Sequence, residues 1–379
     1  MAEKHKIFII ALCIVTFGML TYVIISSKSA IPAQAADNVL RPLLGEKETV
    51  SLESVYFSLN DQADKIKYAY QKPSSDFFNT SVLGTSISAD TTASTSSMDL
   101  GTLPVHNDFS PLPQENVWQP IENTLFPHTT VLARTFVRPD PTRSYAIVSL
   151  VKMNMKNLSL GLQAGTYYPG GPYHAFGPGY IPRTIQQSNL LVAAFNGGFM
   201  AKDGQYGMVV GNKTYVPLRK GIATLLIFAN GEVKLIHYQG EQLPQKVLAA
   251  RQNGAFLIHD GSISPYIEST PDTWGRTTTN SIYTWRSGIG ITKNGNLIYA
   301  VGNSLIPNTL ATALKDAGAV EAMQLDINPY WVRYILYDSL GNGAYKYFPL
   351  LNDMQNGGYA YLHSYNKDFF YVYKKSNSQ

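Results

Sequence analysis

Three hairpin turns constrain this chain's fold more than any other feature. An apolar run at residues 221–228 turns at Ala229-Asn230-Gly231 into residues 233–238. A second at residues 255–258 turns at His259-Asp260-Gly261, and a third at 288–292 turns at Lys293-Asn294-Gly295 into residues 297–301. Asn-Gly and Asp-Gly accept positive φ, which lets a tight turn follow the right-handed twist of its strands. Three such turns predict a mostly antiparallel sheet. Residues 131–137, 145–153, 190–195 and 322–325 read as further strands, bounded by turn residues such as Pro139-Asp140-Pro141. Residues 309–318 read as a helix: Leu310, Ala313, Leu314 and Ala317 share a face, and Gly318 sits at its stop. The tail, residues 359–373, alternates tyrosines with other residues and reads as closing strands. The expected fold class is α+β, a mixed, largely antiparallel twisted sheet with a few helices. Only 15% of residues are charged, against 30 glycines and 25 tyrosines, which suits a strand-rich, turn-rich chain.

The N-terminus carries a different signal. Residues 7–25 contain nineteen positions without a charge, behind Lys4 and Lys6. That length spans a hydrocarbon core of about 30 Å as a helix, and the basic flank places residues 1–6 in the cytoplasm. The reading is a transmembrane signal anchor at 7–26 with the rest extracytoplasmic. Ala33-Gln34-Ala35 offers the rival, a cleaved and secreted form. Residues 27–130 read as a disordered stalk between the transmembrane helix and the head. Residues 51–71 show brief helical spacing, and residues 80–97 are Ser/Thr-rich. Pro104, Pro111, Pro113, Pro120 and Pro127 then stiffen the stretch 103–127. The folded head is expected over 131–379. Cys13 is the only cysteine, so the head has neither disulfide nor thiolate chemistry. A net charge of +4 with scattered basic residues gives no footprint for nucleic acid.

Residues 189–200, NLLVAAFNGGFM, end an apolar strand in Asn196-Gly197-Gly198. Two glycines free the backbone for positive φ and remove Cβ atoms from a ligand's path. The stretch suits a binding site and equally a plain turn. Upstream, the Gly-, Pro- and aromatic-rich loop 161–182 is long enough for a lid or binding loop, with His174 its notable polar side chain.

In order, the chain reads AAFNGGFM, then Arg219 ahead of an apolar strand and Asn-Gly turn, then ARQNGAFLIHDGSI, WRSGIGITKNGNLIYAV and, after a helix, EAMQLD. This succession resembles the phosphodiester glycosidase family over about residues 145–340. The resemblance maps the family's turn onto Asn196, Gly197 and Gly198, its arginine before the G-I-G strand onto Arg286, a second arginine onto Arg219, and the aspartate of its LDGGGSS segment onto Asp326. The chain departs from the family after Asp326, where Ile327-Asn328-Pro329-Tyr330-Trp331 replaces glycines and serines. Consecutive glycines can turn several N–H groups around an anion. Pro329 removes one donor, and Ile327 restricts the backbone. Tyr330 and Trp331 offer flat surfaces of the kind that face sugars.

The resemblance implies a hydrolase of glycosyl phosphodiesters. Phosphate ester is a good leaving group, so strong general-acid help matters less than in ordinary glycoside hydrolysis. A carboxylate near the anomeric carbon and cations for phosphate are still needed. Asp326, Asn196 and Arg286 are the expected catalytic residues. Arg219, Gly197, Gly198, His174, Tyr330 and Trp331 are the expected substrate contacts. No cofactor and no metal are expected. The partners are a carbohydrate or sugar-phosphate substrate and, through the N-terminal helix, a membrane. The rival reading is a descendant that binds glycans without cleaving them.

Overall fold

The computed structural model describes residues 39–79, 98, 100–171, 173, 176–268, 274–275, 282–354 and 357–376. The expected anchor at 7–26, the Ser/Thr-rich stretch 80–97 and His174 lie outside them. No helix among the described residues is long and apolar enough to cross a membrane.

Three antiparallel sheets make the fold. The first orders eight strands as Gln119–Ile121, Leu132–Val137, Val148–Met153, Leu297–Leu305, Thr284–Thr292, Ala319–Gln324, Phe256–His259 and Ser262–Ile263. The second runs Lys213–Val216, Met208–Val210, Val247–Gln252, Ala223–Phe228 and Val233–His237. The third runs Ala344–Pro349, Tyr334–Gly341, Leu191–Asn196, Phe369–Lys374 and Leu158–Gln163. All three expected hairpins form, with Ile227 opposite Val233, His259 opposite Ser262 and Ile291 opposite Leu297.

Inner faces of the three sheets share one core, where Val151 and Tyr299 of the first meet Leu225 of the second and Phe195 and Phe370 of the third. Both faces of the central strands are covered, so Leu132–Val137, Val148–Met153 and Leu191–Asn196 are buried at every position. This is why they read as continuous apolar runs. The helix Pro307–Asp316 covers the outer face of the first sheet with Leu310, Ala313 and Leu314. It starts two residues ahead of the expected 309, because Pro307 fits the first turn, where no N–H partner is needed. Gly318 follows at φ 94°, a backbone conformation only glycine adopts readily.

Two expectations change. The stretch 100–130 is no spacer: Gln119–Ile121 pairs with Leu132–Val137 as the edge of the first sheet, and Trp118, Leu103 and Leu112 are buried. Glu115 accepts a two-pronged ion pair from Arg138, at 2.8 and 2.6 Å, beneath this segment. Proline spacing reports backbone stiffness but not what the neighbouring apolar side chains bury. Burying one aromatic side chain contributes about 2–3 kcal/mol. The brief helical spacing at 51–71 is part of a 25-residue helix, Glu46–Tyr70, whose Asp61 accepts from Arg143 at 2.9 and 3.0 Å. The stalk expected to be disordered is therefore ordered over its described parts. In the tail, residues 358–363 form a helix and not a strand. Tyr361, on this helix, and Tyr365, beyond its extended end at Ser364, bring their ring centres to 4.8 Å and bury with Phe369.

Candidate functional site

Residues from or next to strands of all three sheets converge on one polar cluster. Asn196 is the last residue of its strand in the third sheet. Arg251 lies near the end of Val247–Gln252 in the second, and Asn253 follows it. Ser287 lies within Thr284–Thr292 of the first sheet, and Asp326 stands two residues past Ala319–Gln324.

Asn196 is buried and fully engaged. Its Nδ2 donates to the Gly197 carbonyl (2.9 Å) and to Ser287 Oγ (3.0 Å). Its Oδ1 accepts from Tyr299 Oη (2.7 Å) and the Arg333 amide (3.2 Å). Burial pushes the Tyr299 phenol well above its usual range, so it stays a donor to Asn196. Ser287 links Asn196 to Asp326: Ser287 N donates to the Asp326 carbonyl at 2.9 Å, and the Asp326 amide donates to Ser287 Oγ at 3.1 Å.

The glycine turn is pinned from behind. Gly197 N donates to the Asp368 carbonyl (3.0 Å) and Gly198 N to Asp368 Oδ2 (3.2 Å). Phe199 N donates to Asn253 Oδ1 (2.8 Å), and Asn253 Nδ2 reaches the carbonyls of Gln324 (2.7 Å) and Leu325 (2.6 Å). Arg251, fully buried, donates to Asp368 Oδ2 at 2.9 Å and to the Phe199 carbonyl at 2.6 Å. Neither Gly197 nor Gly198 has positive φ. Their glycine identity is a matter of space. A Cβ on Gly198 would stand 2.5 Å from Asn253 Oδ1, and one on Gly197 would collide with the Asp368 carboxylate.

Asp326 forms the facing wall and is 3% exposed. Its Oδ1 accepts from the amides of Ile327 (2.8 Å) and Asn328 (2.9 Å), and its Oδ2 from Lys367 Nζ. The segment after Asp326 points two N–H groups inward, at the chain's own carboxylate. Lys367 is 1% exposed, and its ammonium also lies 5.5 Å from the Trp331 ring centre. Trp331 is buried, with its ring against Tyr168, Tyr330 and Tyr365, and so presents no open platform. Tyr330 is half-buried beside it and accepts from Arg333 through its carbonyl at 2.6 Å.

Around this wall, Trp331 Nε1, Arg333 Nε, Tyr365 Oη and Asp368 Oδ1 are buried without a partner among the described residues. Buried polar groups are almost always paired, so such atoms point to water or a ligand. Burial raises the Tyr365 phenol, which also feels the negative charges of Asp326 and Asp368, so it remains a donor.

The two expected arginines lie elsewhere. Arg286 is completely buried beside Ser287, yet its guanidinium donates to the carbonyls of Leu305 (2.9 Å) and Trp274 (2.8 Å) and to Gln324 Oε1 (2.9 Å). Consecutive strand residues point to opposite faces, so Arg286 turns from the face that Ser287 presents to Asn196. With no carboxylate beside it, burial alone pushes its guanidinium down to about 9. Arg219 is exposed; its Nη1 donates to the Gly204 carbonyl at 2.6 Å, and its backbone is tied to Gln252.

Sequence reasoning missed Lys367, Asp368, Arg251 and Asn253. Arg251 and Asn253 stand in the ARQNG stretch without having been singled out. Lys367 and Asp368 lie in the tail, where only aromatic alternation drew notice. A group able to ligate a metal among the described residues is His259, Asp260 and Glu321, the first two exposed and Glu321 half-buried, with His259 Nδ1 2.9 Å from Glu321.

Residues 189–326 match the family model described as phosphodiester glycosidase. The match runs from the start of the Asn196 stretch to Asp326, a narrower span than the resemblance outlines. No curated protein matches the chain. Among solved structures it is similar to the zebrafish N-acetylglucosamine-1-phosphodiester alpha-N-acetylglucosaminidase catalytic domain, auto-inhibited by its pro-peptide. Identity there is 16% and the TM-score 0.43, over 65% of this chain and 84% of that one. It is also similar to a hypothetical protein from Synechocystis, at 14% identity and TM-score 0.32, over 65% of this chain and 63% of that one.

Proposed function

We propose, taking the phosphodiester glycosidase segment at 189–326 as premise, that this chain hydrolyses glycosyl phosphodiesters of surface glycans or polymers. It does so outside the cytoplasm, tethered through residues 7–26. The observation that supports the reading most is the meeting of Asn196 and Asp326 on Ser287, with Lys367 against the Asp326 carboxylate. Each described group bonded to that carboxylate is a donor, which suits an anion facing the positive charge that develops at an anomeric carbon. The bond from that carbon to the phosphate oxygen breaks, and its electron pair leaves with the phosphate. Lys367 is the cation best placed to share its ammonium between Asp326 and the departing phosphate. Arg286 acts from behind, holding the strand of Ser287. Water forms the new C–O bond at the anomeric carbon, and the proton it loses passes to the departed phosphate or to solvent. The unpartnered polar atoms of Trp331, Tyr365 and Asp368 suit the hydroxyls of a sugar.

The test is release of free sugar by the full-length chain from a panel of glycosyl-1-phosphodiesters. Asp326→Asn should lower kcat/KM by about 10³-fold, the scale of losing a preorganised electrostatic group. Silence across the whole panel would sink the hydrolase reading.

One observation favours the second reading, a glycan binder without turnover. The N–H groups of Ile327 and Asn328, which glycines would offer to a ligand, are occupied by Asp326 itself. Glycan retention that survives Asp326→Asn but falls with Trp331→Ala would favour this alternative.

A further inference from the structure

A second charged region lies at the other end of the strand Phe369–Lys374. Lys367 and Asp368 precede that strand at the Asp326 site; Lys374 and Lys375 close it, about 20 Å away at some 3.3 Å per residue. There a cavity of about 580 Å3 opens, lined among others by Phe126, His128, Lys156, Asn157, Lys374 and Lys375. The volume falls within the range of about 300–1,000 Å3 usual for ligand sites. Among the described residues no acidic side chain lines it. Its three lysines come from two segments: Lys156 from the turn before Leu158–Gln163, and the consecutive Lys374 and Lys375 from the end of the neighbouring strand. The Lys375 amide donates to the Asn157 carbonyl at 2.9 Å, which locks the two segments together. Lys374 is half-buried, with Nζ 3.1 Å from the Leu125 carbonyl and 4.9 Å from the Phe126 ring centre. One carbonyl and one ring leave most of its charge without compensation, and none of the three lysines joins a described ion pair.

We propose that this cavity binds phosphate groups of an anionic polymer. Like charges gathered without carboxylates repel one another, and an anion relieves that repulsion. Lysine ammoniums are compact point charges suited to phosphate. Their convergence on one cavity favours a ligand with dense, repeated charge over a single carboxylate. The site stands apart from Asp326 and does not depend on the catalytic reading.

The experiment measures binding of fluorescently labelled linear polyphosphate to the full-length chain by anisotropy at low salt. The expected result is saturable binding that weakens as salt rises. Exchanging Lys156, Lys374 and Lys375 together for Gln should weaken it about tenfold, the product of three partly exposed charge contacts. Exchanging the same three for Arg should retain it, which separates lost charge from lost folding. Asp326→Asn should leave it unchanged. Absence of saturable binding, or equal affinity in the triple Gln variant, overturns the proposal. Equal affinity for poly-glutamate removes the assignment to phosphate. Binding to vesicles of anionic lipid without binding to polyphosphate assigns the lysines to a membrane surface instead.

Discussion

The two walls of the candidate site are built by opposite means. The wall of Asn196, Gly197 and Gly198 is held by residues distant in the chain: Ser287 and Tyr299 of the first sheet, the Arg333 amide, and Asp368, itself paired with Arg251 of the second sheet. The wall of Asp326 to Trp331 is held mainly by itself. The Asp326 carboxylate caps its own following turn, Asn328 Oδ1 accepts from the Tyr330 amide at 2.9 Å, and Lys367 is the one distant side chain on the carboxylate among the described contacts. A wall fixed by many non-local partners resists change of sequence. A wall closed by local turns can carry Ile-Asn-Pro because its N–H groups at Ile327 and Asn328 find an acceptor in Asp326.

Removing Lys367 tests this contrast most severely. Lys367→Met leaves Asp326 buried beside an apolar side chain, and breaking a buried ion pair from one side costs about 3–5 kcal/mol. Urea denaturation of the variant should show that loss, with sugar release falling alongside it. A stability change under about 1 kcal/mol would mean that the two amides alone satisfy Asp326. On the opposite wall, Gly197→Ala drives a methyl group into the Asp368 carboxylate, which is itself fixed by Arg251. The expected cost is about 3 kcal/mol, the upper end for overpacking in a closed site. Gly198→Ala should cost less, because Asn253 Oδ1, at 2.5 Å from the added carbon, belongs to a side chain that can shift.

Restoring a glycine sharpens the comparison from the other side. Ile327 is half-buried and packs its Cδ1 toward Gly275. Ile327→Gly should destabilise the chain by about 2 kcal/mol through lost packing and a freer unfolded backbone. It should give no tighter phosphate binding by calorimetry, because the amide at 327 remains on Asp326 Oδ1. A gain in affinity would show that the isoleucine side chain, and not the occupied amide, keeps an anion out.

The same contrast explains which residues were legible in the sequence. Asn196, Gly197 and Gly198 stood out because a strand, a polar residue and permissive backbone follow one another directly. Asp326 stood out as the polar end of an apolar run. Lys367 lacked any such local mark: it lies 41 residues beyond the carboxylate it meets, and neighbouring tyrosines drew the pattern toward a strand. Arg286 was legible as a position but not as a direction, since the face a strand residue takes depends on which sheet face is already filled. Trp118 went unread because prolines around it described a stiff backbone, while its burial depends on the first sheet's edge.

The smallest expected effect concerns the bond from Tyr299 to Asn196. Tyr299→Phe removes one donor while Asn196 Oδ1 keeps the Arg333 amide, so the loss near neutrality should be about 1 kcal/mol. The pH dependence carries more information than that loss. Burial raises the Tyr299 phenol in the fold well above its ordinary 10.0, so its neutral form contributes stability that is fully present below pH 10. Above pH 10 the unfolded phenol ionises and the folded one does not, and the contribution declines as pH rises. The other buried tyrosines titrate alike in both proteins and cancel in the difference. Wild type should therefore be more stable than Tyr299→Phe at neutral pH, with the gap closing and reversing as urea titrations move above pH 10. A gap constant across that range would mean that Tyr299 is not sealed from solvent and that the better-anchored wall is looser than its hydrogen bonds imply.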